Sequence, residues 1–148
     1  MKGKKIFVSG GAGVIGRSLV PMLVDLGAEV MVGDLEEIPM EFPRNIIYRK
    51  GDLNDLTQKE INSFDPEVFI HLAATFERSE ETYGHWEENF HHNVKLSHHL
   101  ISILRNCPNL KRVVNASSYL IYDKCLYQFK KPQENPYRLK ENDQIQPR

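Results

Sequence analysis

The sequence lacks the features that mark nucleic-acid, membrane and disulfide-rich proteins. Its 19 basic and 20 acidic residues give a net charge of −1 with no basic block, so we expect neither nucleic acid nor a membrane as a partner. No apolar run approaches the roughly 20 residues of a membrane-spanning helix, and the start, MKGKKIFVSG, is not that of a signal peptide. Cys107 and Cys125 lack a CxxC or histidine spacing, which predicts isolated thiols in the cytoplasm.

Short apolar runs alternate with segments of helical spacing over the first 122 residues. The predicted strands are 4–9, 28–34, 44–52, 67–74 and 111–118, and the predicted helices are Val14–Leu26 (kinked at Pro21), Asp55–Ser63 and 86–106. Such alternation predicts an α/β fold, with a parallel sheet covered on both faces. Beyond Tyr122 the pattern ends, so we expect a domain at 1–122 and an irregular loop or tail at 123–148.

Three glycines stand between the first predicted strand and the first predicted helix, in the stretch SGGAGVIG. Gly10 allows a tight turn, Gly13 lets the backbone approach a pyrophosphate, and Gly16 lets helix and strand pack closely. The start of the helix then offers free N–H groups to an anion. Together with the strand and helix around it, this loop predicts a Rossmann-like, doubly wound parallel sheet that binds a dinucleotide.

An acidic residue, Asp34, ends the second predicted strand, 18 positions after Gly16. A carboxylate at this place accepts hydrogen bonds from the adenosine ribose hydroxyls and repels a 2′-phosphate. Glu36 and Glu37 follow, with no arginine close behind them. The sequence therefore predicts NAD, rather than NADP, as the cofactor.

Four motifs occur together: glycines spaced GxxGxxG, then GDLND at 51–55, HLAA at 71–74 and ASSYLIYD at 116–123. In this order they resemble the extended short-chain dehydrogenase/reductase family, and most closely its NAD-dependent nucleotide-sugar epimerases and dehydratases. The resemblance implies a nucleotide-sugar substrate and a set of cofactor-binding residues. These are Gly10, Gly13, Val14, Ile15, Gly16, Asp34, Asp52, Leu53, Ala73, Ala74 and Asn93.

The resemblance also implies individual roles. Asp52, with Leu53, would lie beside the adenine ring, and its carboxylate would accept from the adenine amino group. Ala73 and Ala74 would leave room for the dinucleotide, and Asn93 would help to hold the active-site geometry. From the residues alone, Asp52 could also be a strand-end cap, and Asn93 a polar residue satisfied within a helix interface.

Ser118 matches the family's catalytic serine, which hydrogen-bonds the reacting sugar oxygen. Tyr122 matches the tyrosine of the family's SSxxVYG signature, although Asp123 replaces its glycine. Without the resemblance, Ser118 could simply end a strand.

Four histidines in HHNVKLSHH invite a metal site. His91, His92, His98 and His99 show no i, i+4 pair, and no nearby carboxylate geometry supports a metal, so we expect a solvated helix face and no metal. His71, in the fourth predicted strand, is expected to be a buried histidine with satisfied hydrogen bonds.

The family's chemistry uses a tyrosine and a lysine four residues apart on one helix face, where the cation lowers the pKa of the tyrosine. Tyr137 and Lys140 are three apart, which turns the lysine about 100° away from that position, so we do not expect them to be this pair. The order Leu139, Glu141, Asp143, Pro147 matches the family residues that precede the tyrosine, which would place it just beyond Arg148.

Two hypotheses follow. In the first, the chain is the NAD-binding portion of an epimerase or dehydratase, itself inactive because the catalytic tyrosine and lysine lie outside it. In the second, it is a non-catalytic dinucleotide-binding module or sensor. In either case part of the apolar surface of the fifth strand and of the 86–106 helix would be exposed, so we expect a homo-oligomer.

Overall fold

The structure is a computed structural model that describes residues 1–75, 83–129, 131, 134 and 137–146. It divides into two compact units, residues 1–115 and 116–148. The predicted residues Pro147 and Arg148 lie outside the described residues.

The first unit holds five strands and the helices between them. The strands are β1 (Lys5–Ser9), β2 (Glu29–Asp34), β3 (Ile47–Lys50), β4 (Val68–His71) and β5 (Arg112–Asn115). The helices are α1 (Val14–Asp25), α2 (Gln58–Phe64), α3 (Tyr83–Asn89) and α4 (Leu96–Leu104), with a short 3₁₀ helix at Leu53–Asp55 and a π-helical stretch at Phe90–Lys95.

The five strands form one parallel sheet in the order β3-β2-β1-β4-β5. The chain builds outward from β1 to β3, then crosses back to place β4 on the other side of β1. This is the order of the Rossmann fold, in which ligands bind outside the carboxyl ends of the strands where the order reverses. The predicted fold class, a Rossmann-like parallel sheet, is confirmed.

Helices cover both faces of the central strands. On one face, Val20 and Leu23 of α1 pack in a cluster with alternate β1 residues, Ile6 and Val8. On the other, Phe7 belongs to a cluster with residues of α2 and α4. This alternation follows from the side-chain period of two along a strand.

Helix α1 begins at Val14 as the sequence predicts and ends at Asp25, one residue before the predicted end. It continues through Pro21, where the kink stays a prediction. Its end is a turn in which Gly27 has φ +82° and donates to the Val24 carbonyl at 2.8 Å. Helix α2 begins three residues later than expected, because Thr57 and Glu60 form a capping box that fixes its first turn. Asp55 belongs instead to the 3₁₀ helix.

Other predicted bounds need correction. Strands β4 and β5 end at His71 and Asn115, three residues before their predicted ends. Strand β3 ends at Lys50, so Asp52 follows a turn at Gly51 (φ +116°) instead of ending the strand. The predicted 86–106 helix contains the π-helical stretch, which changes the residue-to-face register. Its buried stripe is therefore narrower than expected: Leu96, Leu100 and Leu104 are buried and Ile103 is partly buried, whereas Phe90, Val94 and Ile101 are exposed.

The second unit contains two 3₁₀ turns, Tyr119–Ile121 and Lys124–Leu126, and no α-helix among its described residues. Tyr122 and Ile145 form an isolated antiparallel bridge. The Asp123 N–H donates to the Gln144 carbonyl at 3.0 Å, and the Gln146 N–H donates to the Ile121 carbonyl at 2.9 Å. In the described part of the chain, no helix is long and apolar enough to cross a membrane.

Candidate dinucleotide site

A cleft of about 270 Å³ opens at the carboxyl ends of β1, β2 and β4. Ten of the predicted cofactor residues line it: Gly10, Gly13, Val14, Ile15, Gly16, Asp34, Asp52, Leu53, Ala73 and Ala74. The sequence interpretation missed His92, Leu96 and other lining residues. Some of the other lining residues directly follow the end of a strand, so the predicted strand bounds could have identified them. His92 and Leu96 reach the cleft only through tertiary packing.

The glycine loop is held by contacts that leave no room for side chains at two positions. A Cβ at Gly10, whose φ is +71°, would lie 2.5 Å from the Ala73 nitrogen. A Cβ at Gly16 would lie 2.2 Å from the Gly11 carbonyl oxygen. These glycines bring the loop against β4 and α1 against the loop, as the sequence predicts.

Gly13 differs, because its backbone conformation is open to any residue and a Cβ there would be less crowded than at Gly10 or Gly16. Its backbone is extended (φ −72°, ψ 175°), and an added Cβ would meet only the Gly10 carbonyl oxygen, at 3.3 Å. Gly13 is exposed on the wall of the cleft. A glycine that packing does not demand suits the close approach of a ligand to the backbone.

The start of helix α1 is open toward the same cleft. Gly13 is its N-cap and supplies no side-chain hydrogen bond, and the first turn has no acidic residue. Val14 and Ile15 are 91% and 62% exposed. Uncapped N–H groups and the positive end of the helix dipole together suit an anion such as a pyrophosphate.

Two backbone amides fix the Asp34 carboxylate. Its Oδ2 accepts from the Ala12 N–H at 2.8 Å, and its Oδ1 accepts from the Glu36 N–H at 3.0 Å. A carboxylate has about four acceptor positions, so two remain for ribose hydroxyls. The nearby cations Arg17 and Lys50 pair with Glu41 and Glu37.

Asp52 caps the 3₁₀ helix, since its Oδ1 accepts from the Asn54 N–H at 2.8 Å. Asp52 is therefore a cap, but of the 3₁₀ helix and not of the strand end as the alternative had it, and it also lines the cleft. Its Oδ2 lies 2.7 Å from Nε2 of His91. Desolvation would raise the pKa of Asp52, but the hydrogen bonds from His91 and Asn54 outweigh it and lower the pKa to about 2.

The prediction of a solvated helix face is wrong for three of the four histidines in HHNVKLSHH, which are partly buried. His91 pairs with Asp52, His92 lines the cleft, and Nε2 of His99 lies 2.9 Å from the Leu56 carbonyl oxygen. His98 alone is exposed. The sequence could not show this, because Asp52 is distant along the chain and the π-helical stretch sets the direction of His91.

Asn93 does not line the cleft. Its Oδ1 accepts from the Thr75 N–H at 2.8 Å, and its Nδ2 donates to the Thr75 carbonyl at 3.1 Å. It thereby ties the segment after β4, which carries Ala73 and Ala74, to the π-helical stretch. The satisfied-polar alternative describes this arrangement, and direct contact with a cofactor stays a prediction.

His71 is buried and satisfied, as predicted. Its Nδ1 lies 2.6 Å from the Ser9 hydroxyl and its Nε2 2.9 Å from the Ser97 hydroxyl. Because Ser97 donates to the Asn93 carbonyl, its oxygen accepts from Nε2–H, and Ser9 donates to Nδ1 of the neutral ring. Burial lowers the pKa of His71.

In the second unit, Ser118 accepts a hydrogen bond from the Leu120 N–H at 3.2 Å and caps a 3₁₀ turn beyond β5. Its catalytic role stays a prediction. Tyr137 donates to Asp143 at 2.7 Å, and that hydrogen bond raises the pKa of Tyr137, the opposite of what a catalytic base needs.

The sequence interpretation passed over one Tyr-x-x-x-Lys spacing, Tyr127 to Lys131. No helix carries Tyr127 in the structure. It follows the 3₁₀ turn Lys124–Leu126 with φ −137°, and its ring packs edge-on against Tyr119, 5.0 Å away. The spacing therefore does not place the lysine beside the tyrosine on one helix face.

A model of the NAD dependent epimerase/dehydratase family matches residues 6–143. The chain belongs to this family. The resemblance described from the motifs is thereby confirmed, and so is NAD as the cofactor of the family.

Two curated relatives are nucleotide-sugar dehydratases. CDP-glucose 4,6-dehydratase of Salmonella typhimurium (strain LT2) is 31% identical over 137 residues, which are 82% of this chain and 36% of the relative. A probable dTDP-glucose 4,6-dehydratase of Sinorhizobium fredii is 38% identical over 80 residues, 47% of this chain and 23% of the relative. The chain thus spans about a third or less of their length.

Solved structures with the same fold include an enzyme of Bordetella bronchiseptica, WbmG, in complex with NAD and UDP. It has a TM-score of 0.73 at 22% identity and covers 99% of this chain and 44% of its own. MoeE5 in complex with UDP-glucuronic acid and NAD has a TM-score of 0.71 at 25% identity, covering 97% of this chain and 43% of its own.

Proposed function

We propose that this chain is the NAD-binding portion of a nucleotide-sugar epimerase or dehydratase. The observation that carries the proposal is the open wall formed by Gly13 and the uncapped start of α1, with Asp34 beside it. The pyrophosphate would lie on Gly13, Val14 and Ile15, and the adenosine ribose would bind Asp34. When bound, NAD supplies the hydride acceptor and donor of the family's chemistry.

The nucleotide-sugar substrate is proposed from the relatives. Two of them are nucleoside-diphosphate-glucose 4,6-dehydratases, and two solved neighbours hold UDP or UDP-glucuronic acid together with NAD. Ser118 is the proposed catalytic serine. Since no helix among the described residues carries a tyrosine and lysine four apart, we propose that the chain binds NAD without turnover.

The second candidate, a non-catalytic dinucleotide-binding module, shares the cleft and differs in the substrate. It predicts NAD binding with no affinity for UDP-glucose, CDP-glucose or dTDP-glucose. Calorimetric titration of each nucleotide sugar into the NAD-loaded chain tests this candidate, because binding of any of them would contradict it and favour the first hypothesis.

Calorimetric titration with NAD and NADP tests the site itself. We expect NAD to bind more tightly than NADP, since a 2′-phosphate would meet Asp34 and Glu36. Gly13→Ala needs only a shift of a few tenths of an ångström between its Cβ and the Gly10 carbonyl oxygen, so we expect it to fold. It should weaken NAD binding at least tenfold, about 1.4 kcal/mol. Ser18→Ala, on the exposed side of the same helix, is the matched control and should bind as the unchanged chain does.

An unchanged Gly13→Ala variant would overturn the proposal. If Gly13→Ala keeps both its thermal unfolding midpoint and its NAD affinity, no pyrophosphate approaches Gly13. Gly16→Ala is unsuitable for this test, because its Cβ would collide with the Gly11 carbonyl and disturb the fold itself.

A further inference from the structure

Three metal-ligating side chains converge at one end of the cleft. Asp52, His91 and His92 each offer one ligand atom, and these atoms lie within 4.8 Å of one another. The Asp52 carboxylate is 2.7 Å from Nε2 of His91, and the His91 and His92 rings stand edge to face with centroids 4.7 Å apart. The π-helical stretch brings both imidazoles to the carboxylate.

We propose that Asp52, His91 and His92 form a binding site for a divalent transition-metal ion of the Zn²⁺ class. Two imidazole nitrogens and one carboxylate oxygen are the ligands that zinc uses where a fourth position stays open. Mg²⁺ and Ca²⁺ prefer all-oxygen ligands, so the donor set selects against them. Small side-chain rotations would replace the Asp52–His91 hydrogen bond by two bonds to the metal.

The surroundings allow an ion to enter. The side chains of His91 and Asp52 are 38% and 28% exposed, which leaves a path from solvent and room for a bound water. Asn54 lies beside them, with Nδ2 3.0 Å from Asp52 Oδ1 and 3.2 Å from His91 Nε2.

Asn54 also contains an unsatisfied acceptor. Among the described residues, its buried Oδ1 has no hydrogen-bond partner. Since His91 Nε2 donates to Asp52, the Asn54 amide presents a second donor to that nitrogen instead of an acceptor. Rotation of the amide by half a turn would present Oδ1 to the cluster and supply a further oxygen ligand.

A metal here would affect dinucleotide binding, a consequence that rests on the proposed function. Asp52 and His92 both line the cleft. A carboxylate bound to a metal has fewer lone pairs for an adenine amino group, and the ion would occupy space beside the ring. Zn²⁺ and NAD should therefore compete.

Zn²⁺ titration by calorimetry, without nucleotide, tests the site directly. The chain carries Cys125→Ser throughout, because that thiol is exposed and could bind zinc itself. We expect one Zn²⁺ per chain, with affinity reduced at least tenfold in His91→Ala and in His92→Ala. His98→Ala, an exposed histidine of the same helical segment, is the matched control and should bind zinc unchanged.

Co²⁺ absorbance gives a second readout. Binding at this site should produce visible d–d bands that disappear in His91→Ala and His92→Ala, while far-ultraviolet circular dichroism shows that both variants remain folded. The proposal is overturned if Zn²⁺ binding is absent, if it survives both substitutions, or if His98→Ala weakens it equally.

Measuring NAD binding in the presence of Zn²⁺ tests the metal site and the proposed function separately. If Zn²⁺ raises the apparent Kd for NAD, and Mg²⁺ at the same concentration does not, both hold. If Zn²⁺ binds with the expected histidine dependence but NAD does not bind at all, the proposed function fails and the metal site stands. If NAD and Zn²⁺ bind independently of each other, the shared use of Asp52 is wrong.

Discussion

Strands β1 and β5 belong to the same sheet but differ completely in their surroundings. Ile6, Phe7 and Val8 of β1 are 0% exposed, whereas Val113 and Val114 of β5 are 44% exposed. β1 lies between two layers of helices, and all four residues of β5 are exposed. The difference shows that the packing of the first unit is concentrated on the strands that carry the dinucleotide cleft.

Substituting one valine in each strand tests the difference in burial directly, and the valine of β1 gives the largest expected effect on stability. Ile70 pairs with Val8 on one side and with Val114 on the other, so the two valines share one row of the sheet. Val8→Ala should lower the free energy of unfolding by about 2–3 kcal/mol, through lost burial and a residual cavity. Val114→Ala should lower it by less than about 1 kcal/mol.

Urea unfolding at constant m-value measures both changes. If Val114→Ala lowers the free energy of unfolding as much as Val8→Ala does, β5 is not exposed in solution and must be covered there. A repeat at several protein concentrations would show whether a second copy of the chain provides that cover.

Much of the central region follows from local patterns in the sequence. The bounds of β1, α1 and β2 follow from apolar spacing and from Gly27, and the glycine loop with Asp34 follows from its position between them. The arrangement around Asp52 does not. It depends on Gly51 ending β3 early, on Asp52 capping a 3₁₀ turn, and on a π-helical stretch that aims His91 at it. None of these has a periodic signal. The turn and the cap are local, whereas the contact of His91 with Asp52, 39 residues away, is decided by tertiary packing.

The next largest effect on stability is expected at His71, a buried histidine that also lies in the well-packed part of the sheet. Burial lowers the pKa of His71 below its unfolded value of 6.5. Between these two values the unfolded chain binds more protons, so stability is present above about pH 6.5 and is lost as the pH falls through that window. The slope cannot exceed about 1.4 kcal/mol per pH unit for one proton.

Unfolding free energies measured from pH 7.5 down to pH 5 would show this slope, which His71→Gln should flatten and His98→Gln should leave unchanged. Asp52 and Glu67, whose pKa values are lowered to about 2, act at lower pH and do not interfere. An equal slope in His71→Gln would assign the acid sensitivity to other groups.

Substitution of exposed apolar residues is expected to change stability least. For these residues, self-association of the chain is the more informative measurement. Tyr83, Trp86 and Phe90 stack in sequence, with ring centroids 6.2 and 5.5 Å apart, and all three are at least 48% exposed. Val94 continues this apolar surface at 56% exposure. We predict that this apolar surface, together with β5, makes the chain associate with itself.

Light scattering at tens of micromolar should therefore detect oligomers of the unchanged chain. Phe90→Glu should shift them toward monomer while changing the free energy of unfolding of the monomer by no more than about 0.5 kcal/mol, as expected for an exposed position. Lys95→Glu, an exposed polar position of the same π-helical stretch, is the control for added negative charge. If the unchanged chain is a monodisperse monomer, the exposed apolar residues are tolerated in water. The difference in burial between β5 and β1 would then have no consequence for assembly.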